Sequence, residues 1–245
     1  VQRIVILPTQ IHDQEIDLTP AQHHYLTRVI RLQPGARFHA IDGTGNLYLA
    51  ELTDRAAQII ELITALAPAP PQPIALICAL PKGNHFDDIV RACTELDVTE
   101  IFPAISDRTL LQPSPQKLQR WHKIAQEAAE QSERLTIPSI ATPQALPTIF
   151  AQLPDLSHKY LCQARGEHPH LLTYLQSAPQ RHLIILAIGP EGGWTDSEIA
   201  LAIQHDFQLV SLGRQILRTI TAPIVALSIV AAVANTTPAP TFHLR

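Results

Sequence analysis

The chain has 245 residues, 46% of them hydrophobic, with 18 lysines and arginines against 22 aspartates and glutamates, a formal charge of −4. That composition excludes fibrous and disordered classes and a generally basic nucleic-acid coat, so contact with nucleic acid would need local basic patches. The apolar stretch 222–234, interrupted by Pro223 and Ser228, is shorter than the roughly 18–20 residues that cross a bilayer.

Residues 1–7 do not read as a signal peptide, and a soluble cytoplasmic protein with no membrane partner is expected. Cys78, Cys93 and Cys162 are far apart, and no histidine pair has a ligand context. Neither a disulfide framework nor a metal site is expected.

In chain order, Arg3–Leu7 reads as a strand. A short helix follows, with Thr19 as N-cap and Pro20 at the first helical position, where its missing N–H costs nothing. Arg37–Ile41, Leu47–Leu52 and Gln58–Leu66 read as further strands, with Asp42-Gly43 as a hairpin-type turn. Residues 1–66 are therefore expected to form a small β-barrel.

Four prolines within 67–73 predict an extended, semi-rigid linker. Beyond it the period changes. Ile74–Ala79, Ile101–Ile105, Lys159–Cys162, His182–Ile188 and Gln208–Leu212 read as strands, and helices are expected over 84–96 and 115–133. That alternation predicts an α/β domain over 74–245 with a mostly parallel sheet covered on both faces. The helix over 222–234 is apolar nearly all round and must be buried against the sheet or a second subunit.

Two strand-to-helix loops carry the chemistry. A buried strand enters Gly189-Pro-Glu-Gly-Gly193, and Thr195 and Glu198 then have the spacing of a capping box. Glycines let the backbone approach a ligand at the carboxyl end of a parallel sheet, where ligands of open α/β folds sit. The loop is neither a dinucleotide fingerprint nor a phosphate-binding P-loop. The second loop, Leu212-Gly-Arg-Gln-Ile-Leu-Arg-Thr219, brings Arg214 and Arg218 to the same edge, where they could pair with phosphate or steady a developing anion.

These loops resemble those of the RsmE family of SPOUT-class RNA methyltransferases. Leu80-Pro-Lys-Gly83, Ala92-Cys-Thr-Glu-Leu-Asp-Val98 and Trp121–Ser132 with Arg134 are also similar to that family. So is His24-Tyr-Leu-Thr-Arg-Val-Ile-Arg31 with Pro34-Gly35. The resemblance implies an N-terminal PUA-like β-barrel and a C-terminal SPOUT α/β domain tied in a deep trefoil knot. It also implies a homodimer that uses S-adenosyl-L-methionine to methylate N3 of a uridine in small-subunit (16S) rRNA, within the assembled subunit.

Carried onto this chain, the cofactor pocket uses Gly189, Glu191, Gly193, Leu212, Ile216, Leu217 and Thr219, with Gln163 as a further candidate. Arg218 is the expected catalytic donor to the uracil anion. Glu95 and Glu191 are candidates for the base. RNA is expected on Arg28 and Arg31, with Arg37 beside them, while Lys82, Arg108 and Arg134 line the catalytic mouth. Three positions depart from the family pattern: Ile220 replaces an acidic residue, Asp97 a turn glycine, and Leu135 an asparagine. The rival readings are methylation of a ribose 2′-hydroxyl or another base, an RNA-binding homologue without turnover, and a nucleotide-binding α/β protein of another kind.

Overall fold

The computed structural model describes residues 2–64, 72–109, 113–177 and 182–234. The chain divides into two compact units, Val1–Ala69 with Gln126–Ile137, and Pro70–Ala125 with Pro138–Arg245.

The first unit opens with β1 (Arg3–Val5), a 3₁₀ turn, and the small hairpin β2 (Ile11–His12) and β3 (Glu15–Ile16). The first helix α1 (Pro20–His24) begins as the sequence dictates: Thr19 Oγ1 accepts from Gln22 N–H at 3.2 Å. It runs on as a π-helical turn, Tyr25–Val29. Three longer strands follow, β4 (Arg37–Ile41), β5 (Leu47–Leu52) and β6 (Ala57–Thr64), giving the sheet order β1-β4-β5-β6-β3-β2. Ile4 and Ile6, Ile16, Leu26, Phe38, Ala40, Ala50, Leu52 and Ala57 share one core. A single cluster fed by five strands requires the sheet to curl around it, which is the barrel-like arrangement expected.

Within the expected stretch 74–245, residues 126–137 group with the first compact unit. The reason is local. Glu130 accepts from Val5 N–H at 2.5 Å, Ile137 N–H donates to Gly43 O at 3.0 Å, and Leu135 and Ile137 pack on Val5, Ile41 and Leu47. Leu135 is therefore an apolar lid on a small satellite core. Most of the expected linker, 67–71, lies outside the described residues.

The second unit is built on β7 (Ile74–Ala79), wholly buried, then α2 (His85–Glu95), β8 (Glu100–Ile105) and α3 (Pro115–Gln131), whose residues from 126 on group with the first unit. It continues with β9 (Ser139–Ile140), β10 (Gln144–Ala145), α4 (Leu146–Phe150), β11 (Ser157–Cys162) and α5 (Leu171–Ser177). Last come β12 (Leu183–Ile188), α6 (Asp196–Gln204), β13 (Gln208–Val210) and α7 (Thr221–Ala234). All pairings in this sheet are parallel, in the order β10-β8-β7-β12-β11-β13, with β9 also on β8.

Both faces are covered, as continuous apolar strands require. Ala75, Ile77 and Ala79 pack with Ile149 and Phe150 of α4 and Ala202 of α6, while α7 lies against β12, α2 and α5. The α2–α3 contact is pinned by Asp87, which accepts from Trp121 Nε1–H at 3.0 Å and Arg120 Nε–H at 2.7 Å. Asp97, after α2, has φ 63, so the position does call for the left-handed backbone that glycine adopts most cheaply. Among the described residues, no helix is long and apolar enough to cross a membrane.

Candidate active site

At the carboxyl edge of the parallel sheet, three loops enclose a cavity of about 740 Å³. They follow β11, β12 and β13, three neighbouring strands. Gln163 comes from the first loop, Gly189, Glu191 and Gly193 from the second, and Leu212, Ile216, Leu217, Arg218 and Thr219 from the third. The structure thus brings together every residue expected to hold the cofactor, and Arg218 with them. Ile188, Ile199, Leu212 and Leu217 give apolar walls. Gln163, Glu191 and buried Thr219 supply polar groups.

Backbone and neighbours fix the glycine loop. A Cβ on Gly189 would stand 3.0 Å from Trp194 Cε2, so only glycine lets the indole close in. That indole is buried, and its Nε1–H donates to Cys162 O at 3.2 Å, tying the β12 loop to the end of β11. Gly193 turns at φ +73, and its N–H donates to Pro190 O at 2.8 Å.

Beyond the loop, the capping box forms as its spacing predicts. Thr195 N–H donates to Glu198 Oε2 at 2.8 Å and Glu198 N–H to Thr195 Oγ1 at 3.3 Å. Glu198 is buried and also accepts from Asp107 N–H at 2.9 Å, which stitches the loop after β8 to the start of α6.

Of the residues expected at an RNA-facing mouth, Arg108 has a structural occupation here, while Lys82 is exposed and outside the cavity lining. The Arg108 guanidinium donates to the carbonyls of Gly192 and, at 3.4 Å, Gly193, bracing the glycine loop while also lining the cavity. Lys82 is bound through its backbone: its N–H donates to Glu191 Oε1 at 3.1 Å. Glu191 therefore braces a neighbouring loop, as a carboxylate acceptor does. Glu95, at the exposed end of α2, is absent from the cavity wall.

Arg134 falls in the first unit, where its guanidinium donates to Thr136 Oγ1 at 3.2 Å, and it is not part of the cavity lining. Arg28 and Arg31 are exposed in that same unit, Arg31 with φ 64, while Arg37 pairs with Glu51 at 3.5 Å.

Sequence reading missed His85, Arg165 and Cys162, all in the cavity wall. His85 opens the helix after β7, so its place at a strand's carboxyl end was a usable signal. Burial pushes the Cys162 thiol up to about 12, which keeps it a neutral wall group. Among the described residues, no group of three or more His, Cys, Asp or Glu side chains could hold a metal ion.

Comparison with known proteins now decides the lineage. The model of the RNA methyltransferase domain matches residues 68–231, and that of the RNA methyltransferase PUA domain matches residues 18–63. A ribosomal RNA small subunit methyltransferase E of Synechocystis is 46% identical over 231 residues, covering 92% of this chain and 76% of that protein. The chain belongs to the RsmE family of RNA methyltransferases.

Within that family, the Bacillus subtilis ribosomal RNA small subunit methyltransferase E is 27% identical over 86% of this chain and 87% of its own length. The RsmE crystal structure from Neisseria gonorrhoeae, bound to S-adenosyl methionine, superposes with a TM-score of 0.84 at 29% identity, covering 95% of this chain and 97% of that one. The SPOUT α/β fold with a PUA-like domain, expected from the sequence, is thereby established for this chain.

Proposed function

We propose that this RsmE-family protein transfers the methyl group of S-adenosyl-L-methionine to N3 of a uridine in small-subunit (16S) rRNA. It acts on the assembled subunit, in the cytoplasm, as a homodimer with a knotted catalytic domain. The observation that carries the reading is that all eight predicted cofactor residues converge on one cavity at the sheet's carboxyl edge. Relatives named as ribosomal RNA small subunit methyltransferases, and an RsmE structure holding S-adenosyl methionine, support methylation of this RNA.

The donor supplies a methyl group on a sulfonium, open to in-line attack. What the protein adds is position, and stabilisation of an anion on the acceptor. Uracil N3 has a usable lone pair only after losing its proton, so donors aimed at the ring oxygens favour the reactive form. Arg218 fits that role. It lines the cavity and is exposed, and among the described residues it has no ion-pair partner. Its own carbonyl accepts from Thr221 N–H at 2.8 Å and Ala222 N–H at 2.9 Å, so the start of α7 fixes its backbone. Gly189 and Gly193 let the loop close on the donor, and Arg108 holds that loop through its carbonyls. Arg28 and Arg31 are free to meet RNA phosphates from the PUA-like unit.

The homodimer is supported by α7, which buries Pro223, Ala226, Leu227 and Val230 but exposes Ile224, Ser228 and Ala232. Those three positions are four apart and form one stripe, which a second copy would cover. The knot is supported by the path of the chain, which leaves β13 at the sheet's edge and returns through the cavity loop to α7 against β12.

Equilibrium dialysis with S-adenosyl-L-methionine tests the site. One molecule per chain is expected, with loss of binding in Leu217→Asp. Undiminished binding in that folded variant would move the donor elsewhere.

A further inference from the structure

A second cavity, of about 580 Å³, adjoins the donor cavity and shares Gln163, Ala164 and Gly213 with it. Its remaining wall includes Arg214, Glu167, His168 and His170. Backbone pairing fixes this wall, since Ser211 N–H donates to Pro169 O at 2.9 Å and Leu171 N–H to Ser211 O at 3.0 Å. Gly213 turns at φ +132 between Ser211 and Arg214, and Ser211 Oγ donates to its carbonyl at 3.1 Å.

Arg214 and Glu167 bring one charge of each sign to this wall. Arg214 is exposed and has no ion pair or hydrogen bond to its side chain among the described residues. The histidines have assigned protons. His168 Nε2 faces Arg165 O at 3.1 Å, and a carbonyl only accepts, so this nitrogen donates. His170 Nδ1 accepts from Leu172 N–H at 3.2 Å, so the neutral ring carries its proton on Nε2, as a second donor in the wall beside Arg214.

We propose that this cavity holds a phosphodiester of the substrate RNA next to the target nucleotide, Arg214 supplying the charge and His170 Nε2–H a hydrogen bond. The inference rests on the RNA methylation reading above. An enzyme acting on a base must draw it out of the stack into its cavity, so the backbone on either side runs over the cavity's lip. The shared wall puts Arg214 at that lip, and a guanidinium matches phosphate oxygens with two parallel donors. Glu167 argues against capture of a free phosphate ion. A phosphodiester tethered to an inserted nucleotide tolerates one carboxylate nearby.

The test measures binding of the full chain to a uridine-containing single-stranded RNA oligonucleotide across a salt series, with S-adenosyl-L-methionine binding by calorimetry beside it. Arg214→Ala should weaken RNA binding about three- to tenfold and lower the slope of log affinity against log salt by about 0.7–1. Arg214→Lys should keep the slope. Glu167→Gln should tighten RNA binding about twofold, because it removes one like charge. Cofactor affinity should be unchanged in all three, since neither Arg214 nor Glu167 lines the donor cavity.

Wild-type RNA affinity and slope in Arg214→Ala would overturn the proposal, as would an equal loss of cofactor binding. If these shifts appear but the wild type leaves no 3-methyluridine in small-subunit rRNA, the cavity assignment stands and the reaction proposed above falls.

Discussion

Alanine at position 189 would place its Cβ 3.0 Å from Trp194 Cε2 and 3.2 Å from Cδ2 and Nε1, all inside ordinary van der Waals contact. The indole is 5% exposed and cannot swing into solvent without emptying its place in the core under α6. It must shift by a few tenths of an ångström, which strains the 3.2 Å bond from Nε1 to Cys162 O. Overpacking of this kind costs about 1–3 kcal/mol. For a chain of this length that lowers the melting temperature by about 2–4 °C per kcal/mol, hence by about 4–8 °C for a mid-range cost.

The same shift moves the loop that lines the cavity. A distortion of about 1.4 kcal/mol there would raise the dissociation constant for S-adenosyl-L-methionine tenfold. Differential scanning calorimetry and titration calorimetry read the two effects separately. Trp194→Phe removes the atoms nearest the new methyl, so the double variant should recover stability relative to the sum of the single changes. Full stability and full cofactor affinity in Gly189→Ala would refute the close-approach argument for this glycine.

Three further outcomes are expected. Arg218→Ala should reduce turnover about 10²–10³-fold, the usual effect of losing a donor to a developing anion, with cofactor affinity nearly intact; unchanged turnover in a single-turnover assay would remove Arg218 from the chemistry. Burial pushes Cys78 and Cys162 up to about 12 and Cys93 well above its ordinary value. Iodoacetamide at pH 8 should therefore modify the folded chain about a thousandfold more slowly than free cysteine, and fast labelling of Cys78, read by mass spectrometry, would contradict its buried place. His39 is held below its usual range, first by burial and then by Arg3. The unfolded chain thus binds the extra proton first, and stability is lost as pH falls from about 6.5 toward the folded value. His39→Gln should flatten that part of the urea-midpoint profile, and identical profiles would place the pH dependence on other groups.

The elements longest in sequence were the easiest to read. Ile74–Ala79 and the strand running into Gly189 are unbroken apolar runs, and only a sheet buried on both faces uses such runs. Thr19 with Pro20, and Thr195 with Glu198, marked helix starts because capping chemistry is local.

What was missed depends on contacts across the chain. The two-residue strands 11–12, 15–16, 139–140 and 144–145 have no periodicity of their own and exist through their partners. Nothing local in 126–137 says that Glu130 reaches Val5 N–H.

The site shows the same division. The glycine loop and the run 212–219 are contiguous and were legible. Arg108 is expected at the catalytic mouth and does line the cavity, but its bracing of the glycine loop is not legible, because its acceptors, the carbonyls of Gly192 and Gly193, lie 84 and 85 positions away. Cys162 enters the wall through the order of the strands, which sequence spacing does not record.

The most direct test of the central claim is methyl transfer from labelled S-adenosyl-L-methionine to small ribosomal subunits lacking this modification. Free rRNA is treated in parallel, and the product nucleoside is identified by mass. The account predicts label in 3-methyluridine, more from assembled subunits than from free rRNA, and its loss in Arg218→Ala. Label in a ribose-methylated or other base-methylated nucleoside, or none from a folded chain that binds the donor, would contradict it.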